Sequence, residues 1–278
     1  MSGILPYALT ALLYAALGWH FWRTRWSAGA QTEASETGIG IAAWERVAIL
    51  APFALHSWLL YSSLVAQAEL HFGFSQALSV TLWITVLIYW LESMVYDMKG
   101  MQALVLPLAA ACALLPVFFP GPEVPTYTHT FAFRIHLLVA MLAYSLFTIA
   151  ALHATLMTLL ERRLHARTLA GPLASLPPLM TLETLLFRII ALGFVLLSLT
   201  LLSGFIFSEE LFGQAARFNH KTVFGVISWI IFAALLVGRY GWGWRGRTAL
   251  RWTLAGFAAL LLAYVGSMFV LQVILGKV

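Results

Sequence analysis

The chain has 278 residues, of which 62% are hydrophobic and only 10% carry a charged side chain. A mean hydropathy of +0.89 excludes a water-soluble globule and predicts a polytopic membrane protein whose surroundings are the lipid bilayer. The net charge of +5 is expected to reflect membrane topology, and it predicts no nucleic-acid partner.

Eight apolar runs follow one another along the chain, each close to the roughly 20 residues that a helix needs to cross the hydrocarbon layer. They lack the alternation of barrel strands, and a helix satisfies all its backbone amides within the segment. We therefore predict an all-α, single-domain transmembrane bundle over residues 1–278. The predicted helices are Ile4–Trp22, Val47–Gln67, Gln76–Tyr96, Met101–Phe119, His136–Leu160, Leu185–Phe207, Thr222–Val237 and Trp252–Leu275.

The arginines and lysines concentrate in the odd-numbered connections between these runs. The seventh connection alone contains Arg239, Arg245 and Arg247. Because basic residues favour the cytoplasmic side, the odd-numbered connections are predicted to be cytoplasmic and both termini to lie outside. The segment Met1–Gly3 has no basic residue, so we expect the first helix to be retained rather than cleaved as a signal peptide.

Two histidines open predicted helices at the outer side. His136 follows Arg134 at the start of the fifth run, and His220 is followed at once by Lys221 at the start of the seventh. Two neutral imidazoles are suitable axial ligands for haem iron, and neighbouring cations suit its propionates. The spacing is equally compatible with two histidines that only cap helices at the interface.

Two more histidines lie deep in the predicted bundle. His56 is near the middle of the second run, and an ionisable side chain at that depth is a functional candidate by default. His153 is 17 residues after His136, which corresponds to about 25 Å along a helix. For His153 we favour a hydrogen bond to a neighbouring helix over a role as a deep ligand.

Glu92 is the one acidic residue well inside a predicted helix, close to Asp97. We expect it to pair with Arg188 or an arginine of a connection, in preference to forming a proton path. The single Cys112 excludes an internal disulfide. The sequence has no glycine-rich phosphate loop, zinc spacing or Ser/His/Asp set, so no classical catalytic activity is expected.

Several segments between residue 47 and the C terminus resemble the integral-membrane cytochrome c assembly proteins of the CcsA and HemX type. They are most similar to the compact bacterial branch of that family, the YpjD proteins. The resemblance assigns an external haem ligand to His136 and makes His56 a candidate at a second site. The segments are Phe53–Leu60, His71–Ser75, Ile135–Leu138 with Tyr144, Leu182–Phe194 and Ser203–Gly204.

The sequence departs from the family pattern at three functional positions. Residues 209–222 replace a tryptophan-rich haem-binding loop and contain no tryptophan. Gly238 stands where the resemblance implies a second deep histidine, and no histidine follows the last apolar run. His220 is therefore the substitute for the second outer ligand.

The resemblance implies a bacterial inner-membrane protein that binds or transfers haem at the outer face during cytochrome c assembly. Its site would comprise His136, His220, His56, Arg134 and Lys221, and its partners would be other maturation components or apocytochrome. One alternative is a b-type membrane electron carrier that uses His56 and His153. Another is an accessory or transport-related subunit that has lost haem binding.

Overall fold

A computed structural model describes residues 3–26, 43–64, 71–96, 98, 100–122, 130–165, 179–206 and 220–276. These residues form eight helices, so the predicted all-α fold is confirmed. The last helix contains two π-helical segments, Leu262–Gly266 and Val270–Ile274. The helices are α1 Ile4–Arg25, α2 Ala43–Leu64, α3 Phe74–Val95, α4 Gln102–Phe118, α5 Phe131–His165, α6 Leu179–Ile206, α7 His220–Trp242 and α8 Gly246–Ile274.

The predicted starts of the last four helices are wrong by two to six residues. The largest difference in length is at α5, which has 35 residues and extends beyond both ends of the predicted run. At 1.5 Å per residue this helix is about 52 Å long, well over the roughly 30 Å of the hydrocarbon layer. Hydropathy detects only the apolar part of a helix, so it missed the polar last turn with Glu161, Arg162 and Arg163, whereas the mostly apolar first turn was left out because the predicted run began at His136.

Seven of the helices are long and apolar enough to cross a membrane. The other, α4, has 17 residues and contains Pro107 and Pro116. Gly18 of α1 faces Pro107: a Cβ atom at this glycine would lie 3.0 Å from the proline Cδ. The missing side chain thus permits close packing of α1 on α4, as is typical of small residues between membrane helices.

The helices pack as two groups of four. In the first group α1 contacts α2 and α4, and α3 contacts the same two helices. In the second group α5 contacts α6 and α8, and α7 contacts those two as well. The two groups meet mainly where α3 packs on α5, with a smaller contact between α3 and the first π-helical segment of α8.

A pair of stacked phenylalanines occupies the centre of the second group. The rings of Phe147 on α5 and Phe232 on α7 are fully buried, with centroids 3.9 Å apart. Each ring lies against a glycine of a third helix, Phe147 against Gly193 of α6 and Phe232 against Gly256 of α8. The two glycines allow all four helices to approach one aromatic core.

Hydrogen bonds from buried side chains connect neighbouring helices. The Ser145 hydroxyl of α5 divides its proton between the Met141 carbonyl of its own helix, at 2.7 Å, and the Thr81 carbonyl of α3, at 3.1 Å, and the second of these bonds links the two groups. Within the second group Ser228 of α7 donates to the Gly256 carbonyl of α8, at 2.9 Å. In a bilayer such bonds are worth about 0.6 kcal/mol on average, so they fix helix register more than they add stability.

The tight contact at Gly256 yields a prediction about stability. A Cβ atom there would lie 2.8 Å from the Phe232 ring, which cannot move because it is stacked on Phe147. We expect Gly256→Ala to lower the free energy of unfolding by about 1–3 kcal/mol through overpacking. Thermal unfolding of the purified protein in detergent measures the change.

Gly241→Ala is the matched control, because nothing lies within 4 Å of a Cβ atom at that exposed glycine. Both substitutions bring the same gain in helix propensity, so their difference isolates the clash. Equal unfolding temperatures for the two variants would contradict the packing of Phe232 against Gly256.

Candidate functional site

His136 lies in the second turn of α5 and is half-buried against α6. Its Nδ1 is 2.8 Å from the Ser203 hydroxyl, and that hydroxyl donates its proton to the Thr200 carbonyl at 3.1 Å. When the serine proton is on the Thr200 carbonyl, the imidazole Nδ1–H is the donor to the Ser203 oxygen. In that tautomer the Nε2 of a neutral His136 carries the lone pair, as in a histidine that ligates a metal through Nε2.

The other helices of the second group meet His136 at the same end. A Cβ atom at Gly204 of α6 would lie 3.6 Å from His136 Cε1, so this glycine leaves room for the ring. Lys221 of α7 interacts electrostatically with His136. Its ammonium also lies 4.7 Å from the centroid of the Tyr264 ring of α8, a favourable cation–π contact.

The remaining predicted outer residues are at the surface. His220 is the first residue of α7, as predicted, and is exposed. Arg134 is exposed in the first turn of α5, where its amide donates to the Thr130 carbonyl. Residues 207–219, which contain most of the substituted loop, lie outside the described residues. Ligation of one iron by His136 and His220 together therefore stays a prediction.

His56 is buried, as predicted, between three helices of the first group. Its Nε2 is 2.9 Å from the Ser79 hydroxyl of α3, and its ring meets the Tyr14 ring of α1 edge to face at 5.8 Å. Among the described residues neither His56 Nδ1 nor the Tyr14 hydroxyl has a hydrogen-bond partner. Its role at a second site stays a prediction.

Glu92 contacts a histidine, and the expected arginine partner is wrong. The Glu92 Oε2 lies 3.6 Å from Nε2 of His153, which is fully buried on α5, whereas Arg188 is exposed on α6. His153 Nδ1 donates to the Ile149 carbonyl of its own helix at 2.9 Å, and its contact with a neighbouring helix is the one that Nε2 makes with Glu92 of α3. Asp97 lies outside the described residues.

The tautomer of His153 determines how many protons the pair holds. Because Nδ1 donates to Ile149, the Nε2 of a neutral imidazole faces Glu92 as a lone pair. Two facing acceptors repel each other in a low-dielectric interior. A single proton, on the carboxyl group or on Nε2, removes this repulsion, so the geometry assigns one proton to the pair.

The structure leaves no room at Gly238 for the second deep histidine that the family resemblance implies at this position. The Trp244 indole covers the glycine: a Cβ atom would lie 2.4 Å from the ring. The Trp244 amide also donates to the Gly238 carbonyl at 3.0 Å, and its ring packs on Trp252. The space of an inward side chain at this position is thus filled by the tryptophan.

These features define a polytopic helical membrane protein with one histidine site at the end of its second helix group. The comparisons agree with that class. A family model described as Cytochrome C assembly protein matches residues 44–275. The chain therefore belongs to the cytochrome c assembly protein family, and it is a multi-pass protein of the inner membrane.

Three relatives illustrate the extent of the similarity. The inner membrane protein YpjD of Escherichia coli K12 is 34% identical over 175 residues, covering 62% of this chain and 65% of the relative. A 28.8 kDa protein of Azospirillum brasilense is 29% identical over 74% of this chain and 78% of its own length. The cytochrome c biogenesis protein CcsA of Prochlorococcus marinus is 39% identical over 32% of this chain and 28% of its own length. No solved structure matches the chain.

The contact at Gly238 predicts a coupled pair of substitutions. We expect Gly238→Ala to lower the unfolding temperature, because its methyl group would overlap the Trp244 ring. In the Gly238→Ala, Trp244→Ala double variant the clash is gone, and the two effects should differ from additivity by about 0.5–3 kcal/mol. A double-mutant cycle of unfolding free energies measures this coupling; strictly additive effects would contradict the contact.

The one-proton description of Glu92 and His153 predicts a difference between two substitutions. Glu92→Gln offers an N–H to the His153 Nε2 and should change the unfolding free energy by less than about 1 kcal/mol. Glu92→Leu leaves that nitrogen buried without a partner and should cost about 1–3 kcal/mol. Thermal unfolding in detergent compares the two.

Glu161→Leu serves as the control for removing an acidic residue. Glu161 pairs at 3.5 Å with Arg247, which is 66% exposed, and such surface pairs contribute about 0–1 kcal/mol. If Glu92→Gln proved as damaging as Glu92→Leu, an N–H facing His153 Nε2 would not replace the proton of the pair, and the one-proton description would be contradicted.

Proposed function

We propose that this protein acts in cytochrome c biogenesis and that it binds or transfers haem at the outer face of the inner membrane, with His136 as an iron ligand. Family membership and the similarity to CcsA support the role in biogenesis. The observation that carries the haem part is the 2.8 Å contact between His136 Nδ1 and the Ser203 hydroxyl, since donation from Nδ1 leaves Nε2 as the ligating nitrogen.

The neighbouring residues are chemically suited to haem as cargo. Metal-ligating histidines usually donate their other N–H to a fixed acceptor, which is what Ser203 provides. Lys221 and Arg134 supply cations at the same end for the two propionates. His220, adjacent to Lys221, is the proposed second ligand, and the exposed Phe131 offers an apolar surface for the macrocycle.

The chain itself needs to supply no covalent step in this function. Bound haem brings the ligand exchange and redox chemistry, and the residues described hold and orient it. The recipients are proposed to be apocytochrome or other maturation components. The b-type electron carrier is less well supported, because the free nitrogen of His153 faces Glu92 and Trp244 fills the space at Gly238.

Haem binding and its dependence on single residues test the proposal. Purified protein from haem-sufficient cells, before and after addition of haemin, should show a low-spin reduced-minus-oxidised spectrum. We expect His136→Ala and His220→Ala each to abolish the low-spin signal. Ser203→Ala should weaken haemin affinity about 10–100-fold, because the imidazole loses the acceptor that fixes its tautomer.

Ser198→Ala is the matched control on the same helix. Ser198 accepts a hydrogen bond from the Trp229 indole at 2.8 Å and is one turn further from the outer end of α6. It should leave haemin affinity unchanged. Absence of haem from well-folded wild-type protein, even with added haemin, would contradict the proposal and favour an accessory or transport-related subunit.

A further inference from the structure

An elongated cavity of about 270 Å³ lies where the two helix groups meet. Its walls come from α3 and α4 of the first group and from α5 and α8 of the second. Two of its lining residues, Leu108 of α4 and Leu254 of α8, are 44% and 36% exposed, so the cavity opens sideways between these helices. It faces the bilayer and is separate from His136.

Three of the hydroxyl groups in the walls are bonded to the backbone, and that of Thr81 contacts the Met141 sulfur at 3.9 Å. Tyr144 donates to the Leu260 carbonyl at 3.0 Å, and Thr148 and Thr155 donate to carbonyls of their own helix at 2.8 Å. The interior therefore presents a hydrocarbon surface. A dry apolar cavity of about 150 Å³ already binds benzene, so one of this volume suits a larger apolar guest.

The shape of the cavity favours a chain over a compact ring. Its wall on α5 runs from Met141 to Thr155, which is about 21 Å at 1.5 Å per residue. This is roughly two-thirds of the 30 Å hydrocarbon thickness. A cavity of 270 Å³ spread over that length is narrow, so one extended acyl chain parallel to the helices matches it.

A cation marks one end of the cavity. Tyr264 lines that end, on the first π-helical segment of α8, and the Lys221 ammonium lies 4.7 Å from its ring centroid. Charge complementarity there selects an anion at the head of the chain. We infer that the cavity binds one acyl chain of an acidic phospholipid of the bilayer, with the lipid phosphate beside Lys221.

This inference goes beyond the haem proposal and does not depend on it, although Lys221 contributes to both. Native mass spectrometry of detergent-purified protein, exposed to equal amounts of phosphatidylglycerol and phosphatidylcholine, tests it. We expect one retained phospholipid, with about five-fold preference for phosphatidylglycerol, the ratio that corresponds to about 1 kcal/mol for one basic residue at a membrane surface.

A cavity-filling substitution separates this site from general lipid adhesion. Ala151 is buried in the α5 wall, so Ala151→Leu should abolish the retained lipid. Ala258→Leu, at an exposed position of α8 outside the cavity, should retain it. Because Ala151→Leu leaves Lys221 and His136 in place, haemin binding should persist in this variant, and loss of one function is then distinguishable from loss of the other.

Two further variants keep the test decisive if Ala151→Leu does not fold. Thr155→Leu fills the other end of the wall and should also abolish retention. Lys221→Gln should keep the chain but lose the preference for phosphatidylglycerol, whereas Arg162→Gln, exposed near the opposite end of α5, should keep both. Three results would overturn the inference. They are unchanged lipid retention in the cavity variants, no retained lipid in the wild-type protein, and retention of a neutral isoprenoid in place of a phospholipid.

Discussion

The stack of Phe147 on Phe232 determines where the outer residues of the second helix group meet. Phe147 is eleven residues after His136 on α5, and Phe232 is eleven residues after Lys221 on α7. Each separation is about 16 Å of helix, so aligning the two rings aligns His136 with Lys221. Gly193 and Gly256 bring α6 and α8 onto the same core. Ser203 and Tyr264 on those helices thereby reach the same end.

The two histidines of α5, His136 and His153, both have a partner for Nδ1, but their Nε2 atoms face different neighbours. In both, Nδ1 has a partner on the protein: the Ser203 hydroxyl for His136 and the Ile149 carbonyl for His153. Each Nε2 is left as the reactive nitrogen. Near the N-terminus of α5 it lies beside a cationic residue, Lys221, whereas in the interior it faces the Glu92 carboxyl group across 3.6 Å.

The sequence was sufficient to predict all eight helices, because each contains a long apolar stretch with a single dominant signal. It did not predict most of the helix ends, since a polar turn such as the last one of α5, with Glu161, Arg162 and Arg163, carries no hydropathy signal. Depth was also predictable: His56 and His153 are buried as their positions in the runs indicated.

The partners of the buried polar residues were not predictable from local pattern. Glu92 was assigned an arginine on the rule that buried charges find opposite charges, but the packing of α3 on α5 placed His153 there. Ser203 belonged to a recognised segment, yet its bond to His136 joins residues 67 apart in sequence and depends on how α6 packs against α5. Gly238 indicated a missing histidine, and only tertiary structure shows Trp244 in its place.

The alignment of α5 with α7 has an electrostatic consequence. His136 interacts with Lys221, and eleven residues further along each helix Phe147 stacks on Phe232. The two helices therefore run in the same direction. Their peptide dipoles are parallel, with about half a positive charge at each N-terminus, but α6 and α8 bring the negative C-terminal ends of their own dipoles to the same end, where Ser203 and Tyr264 lie. The four backbone contributions offset one another, so the attraction of this end for an anion depends on its side-chain cations, such as Lys221.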